Sequence, residues 1–76
     1  MKTLDDLELS RTEIEFIIDE YIFNERDRQI MKRRLLDGVI FDRLGEEFDM
    51  DSDSVRHIYY KYRSKILRMA AKVYGK

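Results

Sequence analysis

The sequence predicts an all-α fold: a small four-helix domain with a C-terminal helix-turn-helix. Three observations predict it. The 76 residues contain no proline and only 3 glycines, too few for the turns of a β protein. Apolar residues recur at helical spacing in successive segments. Serine, asparagine and aspartate stand just before those segments, where helix caps belong. The length fits a single domain over residues 1–76. An acidic N-terminal helix region covers 1–24 and the helix-turn-helix portion covers 25–76.

The elements follow in order. Thr3 and Asp6 have the spacing to cap one turn within residues 1–9. Ser10 with Glu13 makes a capping box, and Leu9 with Ile14 a hydrophobic staple. Ile14, Ile17, Ile18, Tyr21 and Ile22 then form one apolar face, so a helix is expected over about 11–23. Asn24 caps a second helix, with Glu25 and Asp27 in its positive first turn and Lys32, Arg33 and Arg34 near its negative end. Its inner face is Ile30, Met31 and Leu35, and Gly38 ends it. A short helix over about 40–48 turns Phe41, Leu44 and Phe48 inward. After a break at Asp49 and Met50, Asp51 or Ser52 caps a last helix reaching about Lys72. Its stripe is Val55, Ile58, Tyr62, Ile66, Met69 and Val73.

Hydrophobic residues make up 43 % of the chain and charged residues 41 %. The first figure supports a core, and the second makes the surface ionic. With no cysteine there is neither a disulfide nor a thiolate metal site. No apolar run approaches the roughly 18 residues of a membrane span. Asp5, Asp6 and Glu8 stand where a signal peptide would be basic and then apolar. A cytoplasmic location is expected.

The net charge of −1 hides an asymmetry. Residues 1–25 hold 8 acidic and 2 basic side chains, a net −6, and residues 26–76 hold 13 basic and 8 acidic, a net +5. From Ser54 to Lys76 there are 7 basic residues and no acidic one. Such a block fits a polyanion or an acidic partner surface. The same block could instead neutralise the acidic N-terminal half within one fold.

Phe41 to Ile58 has the spacing of a helix-turn-helix. Gly45 is small where the second helix must cross close, and Asp49 tolerates the left-handed backbone a tight turn needs. Leu44, Phe48, Met50, Val55 and Ile58 fill the wedge between the helices. Opposite the apolar stripe, the first turns of the last helix carry Asp53, Arg56, His57, Tyr60, Lys61 and Ser64. These groups can hydrogen-bond base edges or phosphates from a helix in the major groove. Ser52, Asp53, Arg56, His57 and Tyr60 are the candidate base contacts. Lys61 and Arg63 are candidate phosphate contacts. Arg56 has the fork to read guanine or the charge to hold a phosphate.

Residues from about Arg26 to Arg68 resemble the fourth conserved region of sigma-70 family sigma factors. The matching stretches are Arg26-Asp27-Arg28-Gln29-Ile30-Met31, Leu44-Gly45-Glu46-Glu47-Phe48, and Val55-Arg56-His57-Ile58 with Lys61 and Lys65. The resemblance implies a four-helix DNA-binding domain that reads the upstream promoter hexamer while docked on the flap of RNA polymerase. It also implies a small stand-alone module of the phage or mobile-element type. The region that reads the downstream hexamer has no counterpart among these residues. Arg34 aligns with a family arginine that approaches the DNA backbone, and joins the phosphate candidates on that ground. Three departures stand out: Ser52-Asp53-Ser54 where the family has Arg-Glu-Arg, His57 where it has Gln, and Ile40 where Thr or Ser often caps the leading helix. The family's promoter specificity therefore does not carry over.

Other chemistries lack their residues. Asp49, Asp51 and Asp53 alternate as in a calcium loop, but Ser54 and Tyr60 stand where Gly and Glu are needed. His57 is the one histidine and has no cysteine partners for zinc. There is no glycine-rich phosphate loop, and no metal, cofactor, small-molecule substrate, membrane partner or enzymatic activity is expected. Tyr59, Tyr60, Tyr62 and Tyr74 cluster on the last helix, either finishing the core or forming a contact surface. The expected function is DNA-binding transcription regulation on double-stranded DNA. The alternative is a protein-interaction module that binds RNA polymerase or another regulator without reading DNA. A homodimer built on the first helix is left open.

Overall fold

The computed structural model describes residues 9–75, so the turn expected at Thr3 lies outside the described residues. Four helices make up the described fold: α1 (Arg11–Tyr21), α2 (Glu25–Leu35), α3 (Phe41–Phe48) and α4 (Ser52–Tyr74). None is long and apolar enough to cross a membrane.

α1 starts as its capping box dictates. The Ser10 hydroxyl accepts from the Glu13 N–H at 3.1 Å, and the Ser10 N–H donates back to the Glu13 carboxylate at 2.9 Å. The helix ends at Tyr21, two residues before the expected end. The next helix explains this. Asn24 caps it by accepting from the Asp27 N–H at 3.0 Å, so the chain must already run extended at Ile22 and Asn24. Arg28 then fixes the end of α1, donating to the carbonyls of Ile22 and, at 3.0 Å, of Asp19. Arg11 returns the favour at the end of α2, donating to the Leu36 carbonyl at 3.2 Å and to Asp37 at 3.0 Å. Each helix of this pair supplies a cation to the negative end of the other. Gly38, at φ 69°, then turns the chain toward α3.

α3 begins one residue later than expected. Ile40 occupies its N-cap and offers no side-chain hydrogen bond. The turn after α3 is tight. Asp49 takes the left-handed conformation, at φ 56° and ψ 49°, and the Met50 N–H closes on the Gly45 carbonyl at 2.8 Å. A β-carbon on Gly45 would lie 2.5 Å from the Met50 carbonyl oxygen, so only glycine fits. Asp51 caps α4 by accepting from the Ser54 N–H at 2.9 Å. That bond holds the Asp51 carboxyl below its ordinary pKa. α4 runs two residues past its expected end and stops at Gly75, which is left-handed at φ 68°.

The core has two parts. Ile17, Ile18, Ile22, Met31, Ile66 and Ala70 join α1 and α2 to the C-terminal half of α4. Ile30, Leu44 and Val55 join α2 and α3 to its N-terminal half. α4 is 23 residues long, about 35 Å at 1.5 Å per residue. It therefore runs the length of a molecule 36 Å in its longest dimension.

Because α4 changes partners, its buried face turns. Val73 lies in the same direction as Val55, about five turns on. Yet Val73 is 42 % exposed, and Ala70 is buried in its place. The straight stripe expected through Val73 is corrected to one that swings toward α1. Tyr59, Tyr62 and Tyr74 pack against this core, whereas Tyr60 stays 53 % exposed.

Asp27, in the first turn of α2, is buried at 6 % exposure. Its carboxylate accepts from the Tyr62 hydroxyl at 2.8 Å and from Arg26 at 3.2 Å. This contact ties the start of α2 to the middle of α4. Burial, and then the hydrogen bond to Asp27, push the Tyr62 hydroxyl above its ordinary pKa.

Two outcomes are expected from these contacts. Gly45→Ala should cost about 1–3 kcal/mol, through the clash with Met50, in a urea melt. A raised phenol pKa adds stability that is complete below the unfolded pKa of about 10. It is lost as pH rises through the folded value. Wild type should therefore lose stability above about pH 10, and Tyr62→Phe should blunt that alkaline loss while lowering stability at neutral pH by about 1–3 kcal/mol. An unchanged alkaline profile in the variant would count against this contact.

Candidate nucleic-acid interface

The surface opposite the core of α4 begins with its launch from the turn. Asp53, Arg56, His57, Tyr60, Lys61 and Ser64 are all exposed on one face, as the helical wheel requires. Ser52, the first residue of α4, is half-buried beside the turn, and Arg63 is half-buried on the flank of the face. The sequence-predicted base and phosphate candidates on α4 thus share one side of the helix or its edges. Arg34 stands apart, on α2. Its guanidinium donates to the Val39 carbonyl at 3.1 Å and lies 4.3 Å over the Phe41 ring. It anchors the segment leading into α3.

The ion pairs bear on the two readings of the basic block. Two acids of α1 pair with cations of α1 and α2. Asp19 meets Lys32 at 2.8 Å, and Glu15 meets Arg11 at 3.7 Å. Arg33 joins Asp37 at 3.1 Å and Glu47 at 2.6 Å, linking the end of α2 to α3. The hydrogen bond from Arg11, and then that from Arg33, hold the Asp37 carboxyl below its ordinary range; Arg33 does the same for Glu47, and its own guanidinium is raised further. None of them reaches the cations of α4. Lys61, Arg63, Lys65, Arg68 and Lys72 have no carboxylate partner among the described residues. Among the described residues, the ion pairs of Glu15 and Asp19 stay within α1 and α2.

No known protein family, curated protein or solved structure gives a significant match to this chain. The reading of the site therefore rests on its own geometry.

That geometry has a polarity. An open groove beside the turn is lined by Asp42, Gly45, Glu46, Asp49, Met50, Asp51 and Ser52, and its carboxylates make it negative. α4 is acidic at its first turn and basic thereafter, which also suits its dipole. The field is most negative at the groove and turns positive along the later turns of the helix.

An aromatic cluster sits where α3 meets the outward face of α4. Phe41 meets Tyr59 edge-on with ring centres 5.5 Å apart, and Tyr59 meets Tyr60 at 5.1 Å. Arg34 lies on this cluster, and Arg56 lies 5.2 Å from the Phe41 ring centre. Arg56 also donates to Asp53 at 2.8 Å. Sequence reasoning placed Phe41 only in the core and missed this second role. The i, i+3 spacing of Asp53 and Arg56 was the one signal available for their pairing.

Proposed function

We propose that this chain is a DNA-binding transcription regulator whose α4 enters the major groove of duplex DNA. The observation that carries the reading is the outward face of α4. It presents Arg56, His57, Tyr60 and Lys61 to solvent, and Lys61, Arg63, Lys65, Arg68 and Lys72 of the same helix form no ion pair among the described residues. A helix about 10–12 Å across fits a major groove about 12 Å wide. The glycine crossing at Gly45 and the left-handed Asp49 suit a helix-turn-helix made of α3 and α4, as does the resemblance to the fourth sigma region.

In this reading Ser52, Asp53, Arg56, His57 and Tyr60 face base edges, and Lys61, Arg63 and Arg34 face phosphates. One small module makes few contacts, so affinity is modest unless a second copy or RNA polymerase raises the effective concentration.

A second reading, docking on RNA polymerase or another regulator without DNA contact, draws on α1 and its link to α2. There Phe16 on α1 is 46 % and Phe23 in the link 82 % exposed, near acidic residues. Salt separates the two, because phosphate contacts release counterions and apolar docking does not.

The test is fluorescence anisotropy of a random duplex pool across a salt series. Saturable binding should weaken with salt, and Lys61→Ala and Arg63→Ala should each flatten the log K against log salt slope by roughly 0.9. Absence of binding at about 100 µM in low salt would overturn direct DNA recognition.

A further inference from the structure

We infer that Arg56 reads a guanine rather than holding a phosphate, and that Asp53 and Phe41 are its positioning residues. The assignment rests on the DNA-binding reading above. Arg56 is held from two elements at once. Its Nη1 donates to the Asp53 carboxylate at 2.8 Å, within α4. Its guanidinium carbon lies 5.2 Å from the ring centre of Phe41, the first residue of α3. The Phe41 ring is itself set by Tyr59 at 5.5 Å and Tyr60 at 6.4 Å. A flexible arginine is thereby given a direction before any ligand arrives, which lowers the ordering cost of a geometric contact.

The charge points the same way. A phosphate contact draws on net positive charge, and the pairing with Asp53 cancels most of it. The Asp53 side chain is 89 % exposed, so its carboxylate faces outward and repels a phosphate approaching Arg56. A base edge presents no such conflict. With Nη1 engaged, the Nε and Nη2 donors of Arg56 remain as a fork that matches guanine O6 and N7. The second oxygen of Asp53 can accept from cytosine N4. Arg34 shows the contrast. It lies against the same Phe41 ring at 4.3 Å and donates to a neutral carbonyl, so it keeps its charge for a phosphate.

The experiment uses a duplex selected from the random pool, its guanines replaced one at a time by deazaguanine, which lacks the N7 acceptor. Affinity and salt slope are measured for wild type, Arg56→Ala, Asp53→Asn and Phe41→Leu. Wild type should lose about tenfold at one position. Arg56→Ala should abolish that sensitivity and leave the salt slope unchanged. Phe41→Leu should keep the slope, lose most of the discrimination, and have no further effect on it when combined with Arg56→Ala. Asp53 is exposed, so Asp53→Asn tests the idea even if the Phe41 variant fails to fold. Asp53→Asn should lose discrimination and steepen the slope by roughly 0.9, because it releases a cation to the phosphates. A slope flattened by Arg56→Ala with the guanine sensitivity intact would make Arg56 a phosphate contact and overturn the inference alone. Wild-type discrimination in both Asp53→Asn and Phe41→Leu would remove their positioning role. Failure of the wild type to bind any duplex would overturn this inference together with the DNA-binding reading.

Discussion

The outward face of α4 depends on how the chain leaves α3. At Gly45 the backbone of the turn passes so close that a β-carbon would meet the Met50 carbonyl at 2.5 Å. Asp49 must then accept a left-handed backbone, an uncommon conformation for a residue with a side chain. Together these two residues bring α4 off α3 at close range. Leu44 and Val55 can then share one small core with Ile30, while Arg56 rises beside Phe41. Bulk at position 45 would push α4 away and separate Arg56 from the ring that orients it.

The rest of the molecule holds α4 against that launch point. A core this small leaves little margin, since net stability is a small difference between large terms. Directed polar contacts therefore matter. The exchange of arginines between the ends of α1 and α2 fixes that pair, and the bond from Tyr62 to buried Asp27 fixes α2 against α4. Arg33 bridging Asp37 and Glu47 links α2 to α3. Arg11, Arg28, Lys32 and Arg33 of the scaffold are engaged in this way, whereas the cations of α4 after Arg56 form no ion pair among the described residues.

What could be read from the sequence was local. The capping box at Ser10, the cap at Asn24, a cap at Asp51 or Ser52 (the structure selects Asp51), and the left-handed positions at Gly38 and Asp49 all follow from neighbouring residues, and each is present. The exposed face of α4 was legible for the same reason, because a helix fixes which residues share a side. Contacts between distant residues were not. Asp27 and Tyr62 are 35 positions apart, and Arg11 and Asp37 are 26 apart. No spacing rule links them, so sequence reasoning gives Asp27 only its place in the first turn of α2. Val73 belongs to the stripe by periodicity and leaves the core because the partner of α4 changes from α3 to α1. Within the candidate site, the pair of Asp53 and Arg56 has a spacing that can be read. The stacking of Arg56 on Phe41 depends on how two helices cross.

The central claim is that the outward face of α4 is where DNA docks. It is tested most directly by recording backbone amide NMR shifts while a selected duplex is titrated into labelled protein. The changes should concentrate at Arg56, His57, Tyr60 and Lys61 and along the basic half of α4, with the amides of α1 unmoved. Changes centred instead on Phe16 of α1 and Phe23 in the link to α2, or none at saturating duplex, would contradict the claim.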